Sequence, residues 1–205
     1  MRECVFFGAV MDSISDKLRC ATVGVAGLGG LGSTVSVALA RAGVGRLIIA
    51  DFDNVEVGNL ARQQYFTDQI GRSKVDCTIE NLERVNPQLC VRGYRGRLNA
   101  SNVPVIFVEA DVIAECFDRA QEKQMIVETV LTKMAKPIVV TVSGLAGYGE
   151  SNAIQTRRVS ERLILVGDGR SGIDGEPLLV APRVGIAACH QANAIVEVII
   201  NEMKL

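Results

Sequence analysis

Four glycines lie close together in the segment 27–32, between a short β-prone run and a run that favours a helix. They are Gly27, Gly29, Gly30 and Gly32. Because glycine has no Cβ atom, such a turn lets a phosphate or a ribose approach the free backbone N–H groups at the start of a helix. The turn therefore indicates a nucleotide site, although the same glycines would also allow a helix to pack closely on a sheet.

An acidic residue, Asp51, follows the second predicted strand, residues 46–50. A carboxylate at this point of a βαβ unit accepts hydrogen bonds from both hydroxyls of a ribose. An NAD-dependent dehydrogenase would show the same glycine turn and the same acid. These two features together predict a bound nucleotide without selecting which one.

The segment 51–73 is polar and longer than a plain connector in a compact domain, and loops of this length are usually functional. The candidate ligands here and at the start of the next helix are Asp53, Asn59, Arg62, Gln63 and Lys74. When pyrophosphate leaves a triphosphate, its charge must be neutralised, which a planar guanidinium and an ammonium do well. The segment is therefore interpreted as triphosphate-binding, and a solvated polar loop is the alternative.

A second acid, Asp118, follows the fourth predicted strand. The carboxyl end of a parallel strand is where a hard cation that bridges phosphates would be held. Asp118 is therefore the predicted Mg²⁺ ligand. Its alternative role is to cap the helix that is predicted to begin at Arg119.

The elements that must position these residues alternate between strand and helix. Strands are predicted at residues 22–26, 46–50, 89–94, 112–116, 137–142, 153–159 and 162–166, the last two as a hairpin. Helices are predicted at residues 15–19, 33–42, 74–85, 119–134 and 185–203. Continuous apolar strands indicate a parallel sheet covered on both faces. The predicted fold is α/β, a mostly parallel sheet with helices on both faces and C-terminal β-strand additions, in one domain over residues 1–205.

The composition sets broad limits on function. The formal net charge is −1, so no global charge recruits nucleic acid or an anionic membrane, and neither is expected as a partner. Residues 21–40 carry no charged side chain, but their glycines favour a strand, a turn and a helix over a membrane span. The apolar stretch 4–11 is too short for a secretory leader, and the six cysteines form no C-x-x-C pair. A cytoplasmic location and no zinc site are expected.

The order of these motifs resembles the ThiF/MoeB/HesA family, whose members are relatives of ubiquitin-activating enzymes. The resemblance is carried by GLGGLG, by DFD followed by N-L-x-R-Q, and by a later G-x-x-K, and it is closest over residues 18–118. It implies a Rossmann-like sheet, usually homodimeric, that uses ATP to adenylate the terminal glycine of a small ubiquitin-like carrier. Such carriers include the thiamine and molybdopterin sulfur carriers.

The resemblance also implies a role for each matching residue. Gly30 would lie at the nucleotide phosphates and Asp51 would hold the ribose. The implied triphosphate pocket and its metal ligand comprise Asn59, Arg62, Gln63, Lys74 and, for Mg²⁺, Asp118. The implied catalytic residues are Arg62, Lys74 and Asp118, because the carrier's carboxylate is already a nucleophile and the reaction needs alignment and charge stabilisation.

Several family features have no counterpart in this sequence. The first twenty residues contain no Arg-x-x-Arg-Gln segment of the kind whose arginine reaches a partner subunit. The zinc-binding C-x-x-C pairs and a clear loop cysteine for a covalent step are also missing. Cys116 and Cys189 are interpreted as packed core thiols. The lone histidine, His190, lies on a mostly apolar predicted helix and is interpreted as a satisfied core residue.

The predicted function is ATP-dependent adenylation of the C-terminal glycine of a ThiS-like or MoaD-like carrier that ends in Gly-Gly. The compact chain and the glycine-rich segment 143–149 favour the thiamine pathway, and this segment is either a channel for the carrier's tail or a simple turn. One alternative is an NAD-dependent Rossmann oxidoreductase. The other is a non-catalytic binding module of the same fold.

Overall fold

The computed structural model describes residues 14–172 and 179–203, and its centre is a seven-stranded sheet. The strands are β1 (Thr22–Ala26), β2 (Arg46–Asp51), β3 (Cys90–Arg95), β4 (Val112–Glu115), β5 (Ile138–Val142), β6 (Gln155–Ser160) and β7 (Leu163–Gly167). Their spatial order is β3-β2-β1-β4-β5-β7-β6. Every neighbouring pair is parallel except β6 and β7, which form the predicted antiparallel hairpin. The predicted mostly parallel sheet with C-terminal additions is confirmed.

Helices cover both faces of the sheet. They are α1 (Ile14–Cys20), α2 (Gly30–Ala42), α3 (Lys74–Val85), α4 (Val103–Ile106), α5 (Ala120–Lys133) and α6 (Ala181–Glu202). One core cluster lies between the sheet and α2, α3 and α6, and a second lies between the opposite face and α4 and α5. The side chains of β1 alternate between them, since Val23 and Val25 join the first cluster and Ala26 joins the second.

The strand β1 shows why this sheet needs cover on both sides. All five of its residues are buried, and a side chain at Gly24 would lie 2.7 Å from the Phe107 ring. Glycine therefore lets Phe107 pack directly on the strand and fill the second core cluster. The continuous apolar run in the sequence has this physical cause.

Two helices begin three or four residues earlier than predicted. The helix α2 starts at Gly30 rather than residue 33, and α6 starts at Ala181 rather than residue 185. Pro182 lies in the first turn of α6, where its missing N–H has no helical partner in any case. The short α4 and three 3-10 turns, Val57–Asn59, Thr67–Gln69 and Ser151–Ala153, were not predicted. They are too short to show a periodic apolar pattern.

The segment 21–40 forms β1, the glycine turn and most of α2, as predicted. Within the described ranges, α6 is the one helix that is long and apolar enough to cross a membrane, with a mean hydropathy of 1.3. Half of the most apolar stretch of α6 is buried inside the protein, where the helix packs on α2 and the sheet. Residues 1–13, with Cys4 and the apolar stretch 4–11, lie outside the described residues.

Candidate functional site

A cavity of about 710 Å³ opens at the carboxyl ends of the central strands. It lies where the strand order reverses, because the chain leads from β1 through β2 to β3 on one side of β1 and then crosses to β4 on the other side. Open parallel sheets bind their ligands at this switch point, and the volume suits a small-molecule ligand. All the predicted site residues line the cavity except Gly32.

The glycine turn forms one wall of the cavity. Gly27 has a φ of 92°, and a side chain there would approach the Cys116 carbonyl oxygen to 3.0 Å. Gly29 and Gly30 face the cavity at the start of α2. The first N–H groups of a helix have no partner inside the helix, so this wall presents donors and a positive dipole end.

Gly32 has a different role from the predicted one. A Cβ atom at this position would lie 1.8 Å from the Gly27 carbonyl oxygen. Glycine is therefore required so that α2 can pack against the turn, and Gly32 does not reach the cavity. The alternative explanation of the glycine turn, that glycine allows a helix to pack closely, therefore accounts for Gly32.

Asp51 ends β2 beside the glycine turn and is nine-tenths buried. Its Oδ2 accepts the Leu28 N–H at 2.6 Å, and its Oδ1 accepts the Asp53 N–H at 2.8 Å. These bonds fix both the turn and the start of the next segment. Each carboxylate oxygen has a second lone pair, so Asp51 can still accept hydrogen bonds from ribose hydroxyls.

The segment between β2 and α3 brings Asn59, Arg62 and Gln63 to the cavity. Its fold depends on a buried tyrosine, Tyr65, whose hydroxyl donates to the Leu28 carbonyl oxygen at 2.8 Å. Burial raises the pKa of Tyr65 above its ordinary value, so the hydroxyl keeps the proton that it donates. Sequence reasoning missed Tyr65, because a single aromatic residue in a polar segment carries no periodic signal.

Gln63 presents a buried polar atom that a ligand in the cavity could satisfy. The residue is more than nine-tenths buried, it lines the cavity, and its Oε1 atom has no hydrogen-bond partner within residues 14–172 and 179–203. Such a buried polar atom is costly unless a water or ligand satisfies it. A Cβ atom at Gly29 would lie 3.9 Å from the Gln63 amide nitrogen, so this amide lies beside the glycine turn.

Lys74 is the first residue of α3 and is buried, with its ammonium 3.0 Å from Asp53 Oδ2. The side chain of Asp53 is 48% exposed, and both residues line the cavity. An ammonium has three donors, so pairing with Asp53 leaves it able to bind a phosphate oxygen as well. Arg62 also lines the cavity and is half-buried. Its guanidinium donates to the Gly58 carbonyl oxygen at 3.2 Å.

Asp118 follows β4 and is exposed at the cavity. Across residues 14–172 and 179–203, no three or more acidic, histidine or cysteine side chains come together in a group that could hold a metal. Mg²⁺ commonly uses one or two carboxylates and takes its other ligands from phosphates and water. Asp118 would supply one carboxylate to a Mg²⁺ ion that binds together with a triphosphate.

The opposite wall contains a charge pair that the sequence did not predict. Glu115 is fully buried, and the Lys123 ammonium donates to both of its carboxylate oxygens, at 3.1 and 3.0 Å, and to the Val142 carbonyl oxygen at 3.0 Å. Glu115 also accepts the Phe117 N–H at 2.7 Å, which fixes the turn that presents Asp118. Only the tertiary structure reveals this pair, since the partners come from different elements.

The segment 143–149 forms the far end of the cavity, where residues Ser143 to Ala146 line it. Arg183, in the first turn of α6, donates to the carbonyl oxygens of Ala146 at 3.0 Å and Gly149 at 2.6 Å. The same guanidinium pairs with Asp168 at 2.7 Å, and both side chains are buried. This end of the cavity is therefore fixed by a network of buried charges.

The two cysteines considered for chemistry differ in their surroundings. Cys116 is buried, and burial raises the pKa of its thiol, which agrees with the predicted packed thiol. Cys189 is exposed, so the prediction that it packs in the core is wrong. It lies on the outward side of α6, which is apolar overall but has only part of its surface against the core.

His190 and Gln191 also separate on α6. The His190 ring shares a hydrogen bond of 3.1 Å with Thr156 on the edge strand β6 and does not line the cavity. Gln191 is fully buried and donates to the carbonyl oxygens of Glu115 at 2.9 Å and Val140 at 2.7 Å. Gln191 does not line the cavity either, and His190 is partly exposed rather than a core residue.

The fold and the cavity define a Rossmann-like α/β protein that presents a glycine turn, an acid and cations at the switch point of its sheet. The sequence pattern of the ThiF family matches residues 2–204, and the chain belongs to this family.

Two relatives show the extent of the similarity. The chain is 39% identical over 135 residues to "Adenylyltransferase and sulfurtransferase uba4" of Aspergillus clavatus, which covers 65% of this chain and 27% of that protein. It is 34% identical over 118 residues to the molybdopterin-synthase adenylyltransferase of Escherichia coli, covering 57% of this chain and 47% of that protein. The matched regions thus span less than half of these relatives.

Solved structures with the same fold are more distant in sequence. The E. coli tRNA N6-threonylcarbamoyladenosine dehydratase TcdA in complex with ATP has a TM-score of 0.82 at 18% identity, over 91% of this chain and 88% of that one. E. coli MccB with an MccA variant has a TM-score of 0.70 at 24% identity, over 93% and 60% of the two chains. At these identities the likeness shows the fold.

Proposed function

We propose that this protein is an ATP-dependent adenylyltransferase that activates the C-terminal glycine carboxylate of a ubiquitin-like sulfur-carrier protein. The observation that carries the proposal is the cavity, where the glycine turn, Asp51, Arg62, Lys74 and Asp118 meet. An acid suited to a ribose, donors suited to phosphates and a carboxylate suited to Mg²⁺ line one continuous space. Membership of the ThiF family and relatives named adenylyltransferases support this assignment.

The proposed reaction is a direct displacement at the α-phosphorus of MgATP. A carboxylate oxygen of the carrier forms a new bond to the α-phosphorus, while the bond from that phosphorus to the bridging oxygen breaks. The electron pair leaves with pyrophosphate, and the carrier becomes an acyl-adenylate. The attacking carboxylate carries no proton, so the step needs no general base.

The side chains of the cavity then act through charge and position. Arg62 and Lys74 stabilise the negative charge that accumulates on the departing pyrophosphate, and Asp118 would hold a Mg²⁺ ion that neutralises part of the phosphate charge. The donors at the start of α2 hold the remaining phosphates. The narrow turn fixed by Asp51 aligns the sugar with this charged region.

We also propose the class of carrier protein that is adenylated. A ThiS-like carrier that ends in Gly-Gly is favoured because the wall formed by residues 143–146 offers backbone at a glycine-rich turn. An extended glycine tail needs such a surface without bulky side chains. A homodimer and a role in thiamine biosynthesis are proposed with it.

The test is ATP–pyrophosphate exchange with purified candidate carriers. Exchange with one carrier, lost when its last glycine is deleted, is the expected result. The full-length carrier with an amidated C-terminus is the matched control, because it keeps the tail and removes the nucleophile. Absence of exchange with every Gly-Gly carrier, or tight binding of NAD with indifference to ATP, would contradict the proposal.

A further inference from the structure

Arg97 forms a bridge at the edge of the cavity that the proposed mechanism does not use. Its guanidinium carbon lies 4.1 Å from the centroid of the Phe52 ring. Its Nη1 atom lies 2.5 Å from Glu122 Oε1, in the first turn of α5. Arg97 therefore connects the residue after β2 with the helix after β4, across the two sides of the switch point.

The backbone around Arg97 is held on both sides. The Gly96 N–H donates to the Asp51 carbonyl oxygen at 3.0 Å, and the Asn102 side chain donates to the Arg97 carbonyl oxygen at 3.0 Å. The next residue, Leu98, is buried in the second core cluster. A fixed backbone lowers the entropy cost of keeping a long side chain in one place.

Phe52 and Glu122 both line the cavity, whereas Arg97 does not. The Phe52 ring therefore contacts the Arg97 guanidinium and also lines the cavity. Phe52 is 46% exposed, and it lines the cavity. An aromatic surface left open toward a cavity is suited to a flat ring system.

The neighbouring cavity wall is apolar and adjoins the proposed sugar position. Leu98, Phe117 and Ala120 line it next to Phe52. Because Phe52 directly follows Asp51 in the chain, a ribose held at Asp51 would have this wall near its base. Aromatic side chains bind nucleobases by stacking on their faces.

We propose that Arg97 is a positioning residue that sets the affinity of the cavity for the nucleobase. It holds the Phe52 ring as a platform for the base and ties that platform to Glu122 on α5. The inference rests on the proposed function in one respect, namely that the ligand is ATP. It concerns the base alone and leaves the phosphate contacts to Arg62 and Lys74.

The test compares ATP with inorganic tripolyphosphate, which carries the phosphates without the base, by titration calorimetry. The Arg97→Ala variant is expected to bind ATP about tenfold more weakly and tripolyphosphate with unchanged affinity. The Arg97→Lys variant is expected to recover part of the ATP affinity, since an ammonium also binds an aromatic face and a carboxylate. In the exchange assay, the KM for ATP should rise while the rate at saturating ATP stays the same.

Arg92→Ala is the matched control, because Arg92 is an exposed arginine on β3 that pairs with Glu109. Glu122→Gln provides a second variant that weakens the bridge without removing Arg97, and it should weaken ATP binding in the same direction. Unchanged ATP affinity in Arg97→Ala would overturn the inference, as would an equal loss for tripolyphosphate. Arg97-dependent ATP binding without exchange for any carrier would instead reject the adenylation and retain this inference.

Discussion

Two charge pairs flank the cavity, and they differ in how far water and ligands can reach them. Lys74 pairs with Asp53 at 3.0 Å, and their side chains are 7% and 48% exposed. Arg183 pairs with Asp168 at 2.7 Å, and their side chains are 5% and 3% exposed. The first pair is open to the cavity on its acidic side, and the second is sealed on both sides.

The sealed pair is also saturated with hydrogen bonds. Burial alone would raise the pKa of Asp168, but the backbone N–H groups of Ser171 and Arg170, the Ser171 hydroxyl and Arg183 outweigh it and lower the pKa to about 2. The Arg183 guanidinium also reaches the carbonyl oxygens of the glycine-rich segment. The comparison teaches that a buried ion pair marks a ligand site only where one partner stays accessible, whereas a saturated pair fixes the backbone.

Removal of the sealed cation should have the largest effect on stability. Arg183→Met removes the cationic partner of the buried Asp168 carboxylate, so we expect the free energy of unfolding to fall by about 3–5 kcal/mol. Arg170→Met is the matched control, because its pair with Glu150 is 69% and 68% exposed. That variant should change stability little. Denaturant unfolding measures both, and equal effects would remove the distinction between sealed and open pairs.

Removal of Lys74, the cation of the pair that is open to the cavity, should affect the reaction more than the stability of the fold. In Lys74→Ala, the remaining Asp53 can be hydrated, so the loss of stability should be about 1 kcal/mol. The rate of ATP–pyrophosphate exchange should fall by about 10²- to 10³-fold, and Asp118→Ala should abolish exchange in the same way. Lys133→Ala, at an exposed lysine near the end of α5, is the control. Near-normal exchange in both site variants would remove these residues from the mechanism.

The sealed pair should also determine part of the acid stability. The pKa of Asp168 falls from 3.8 to about 2, so its contribution is present above pH 4 and disappears as the pH falls toward 2. The pKa difference corresponds to about 2 kcal/mol. The difference in unfolding free energy between the wild type and Asp168→Asn should therefore shrink between pH 5 and pH 2. A constant difference over that range would show that the charge of Asp168 contributes nothing.

The smallest effect is expected from replacing Gln63, which lines the cavity. Gln63→Met replaces the unpaired Oε1 atom by a thioether of similar shape, which should stabilise the protein without ligand by up to about 1 kcal/mol. The same change should weaken ATP binding about fivefold, since the ligand loses a hydrogen-bond partner. Gln88→Met, at an exposed glutamine, should change neither quantity. If Gln63→Met lowered both the stability without ligand and the ATP affinity, the Gln63 amide would have a structural role and would not be directed at a ligand.

The sequence determined the parallel sheet and most of the residues around the cavity. Apolar strand runs and glycine turns act locally, so β1, β2 and α3 were predicted close to their observed limits. The predicted site residues also follow the ends of consecutive elements, and parallel strands bring such ends together. Asp51, Lys74 and Asp118 therefore meet for a topological reason that the order of elements already contains.

Only the tertiary structure decided which charges are open and which are sealed. Glu115 with Lys123, Arg183 with Asp168 and the bridge formed by Arg97 join residues from different elements. Their roles depend on burial and on saturation by backbone groups, which no residue type or spacing specifies. The same reason explains Gly32 and Cys189, because contact with the Gly27 carbonyl oxygen and exposure on α6 are consequences of packing.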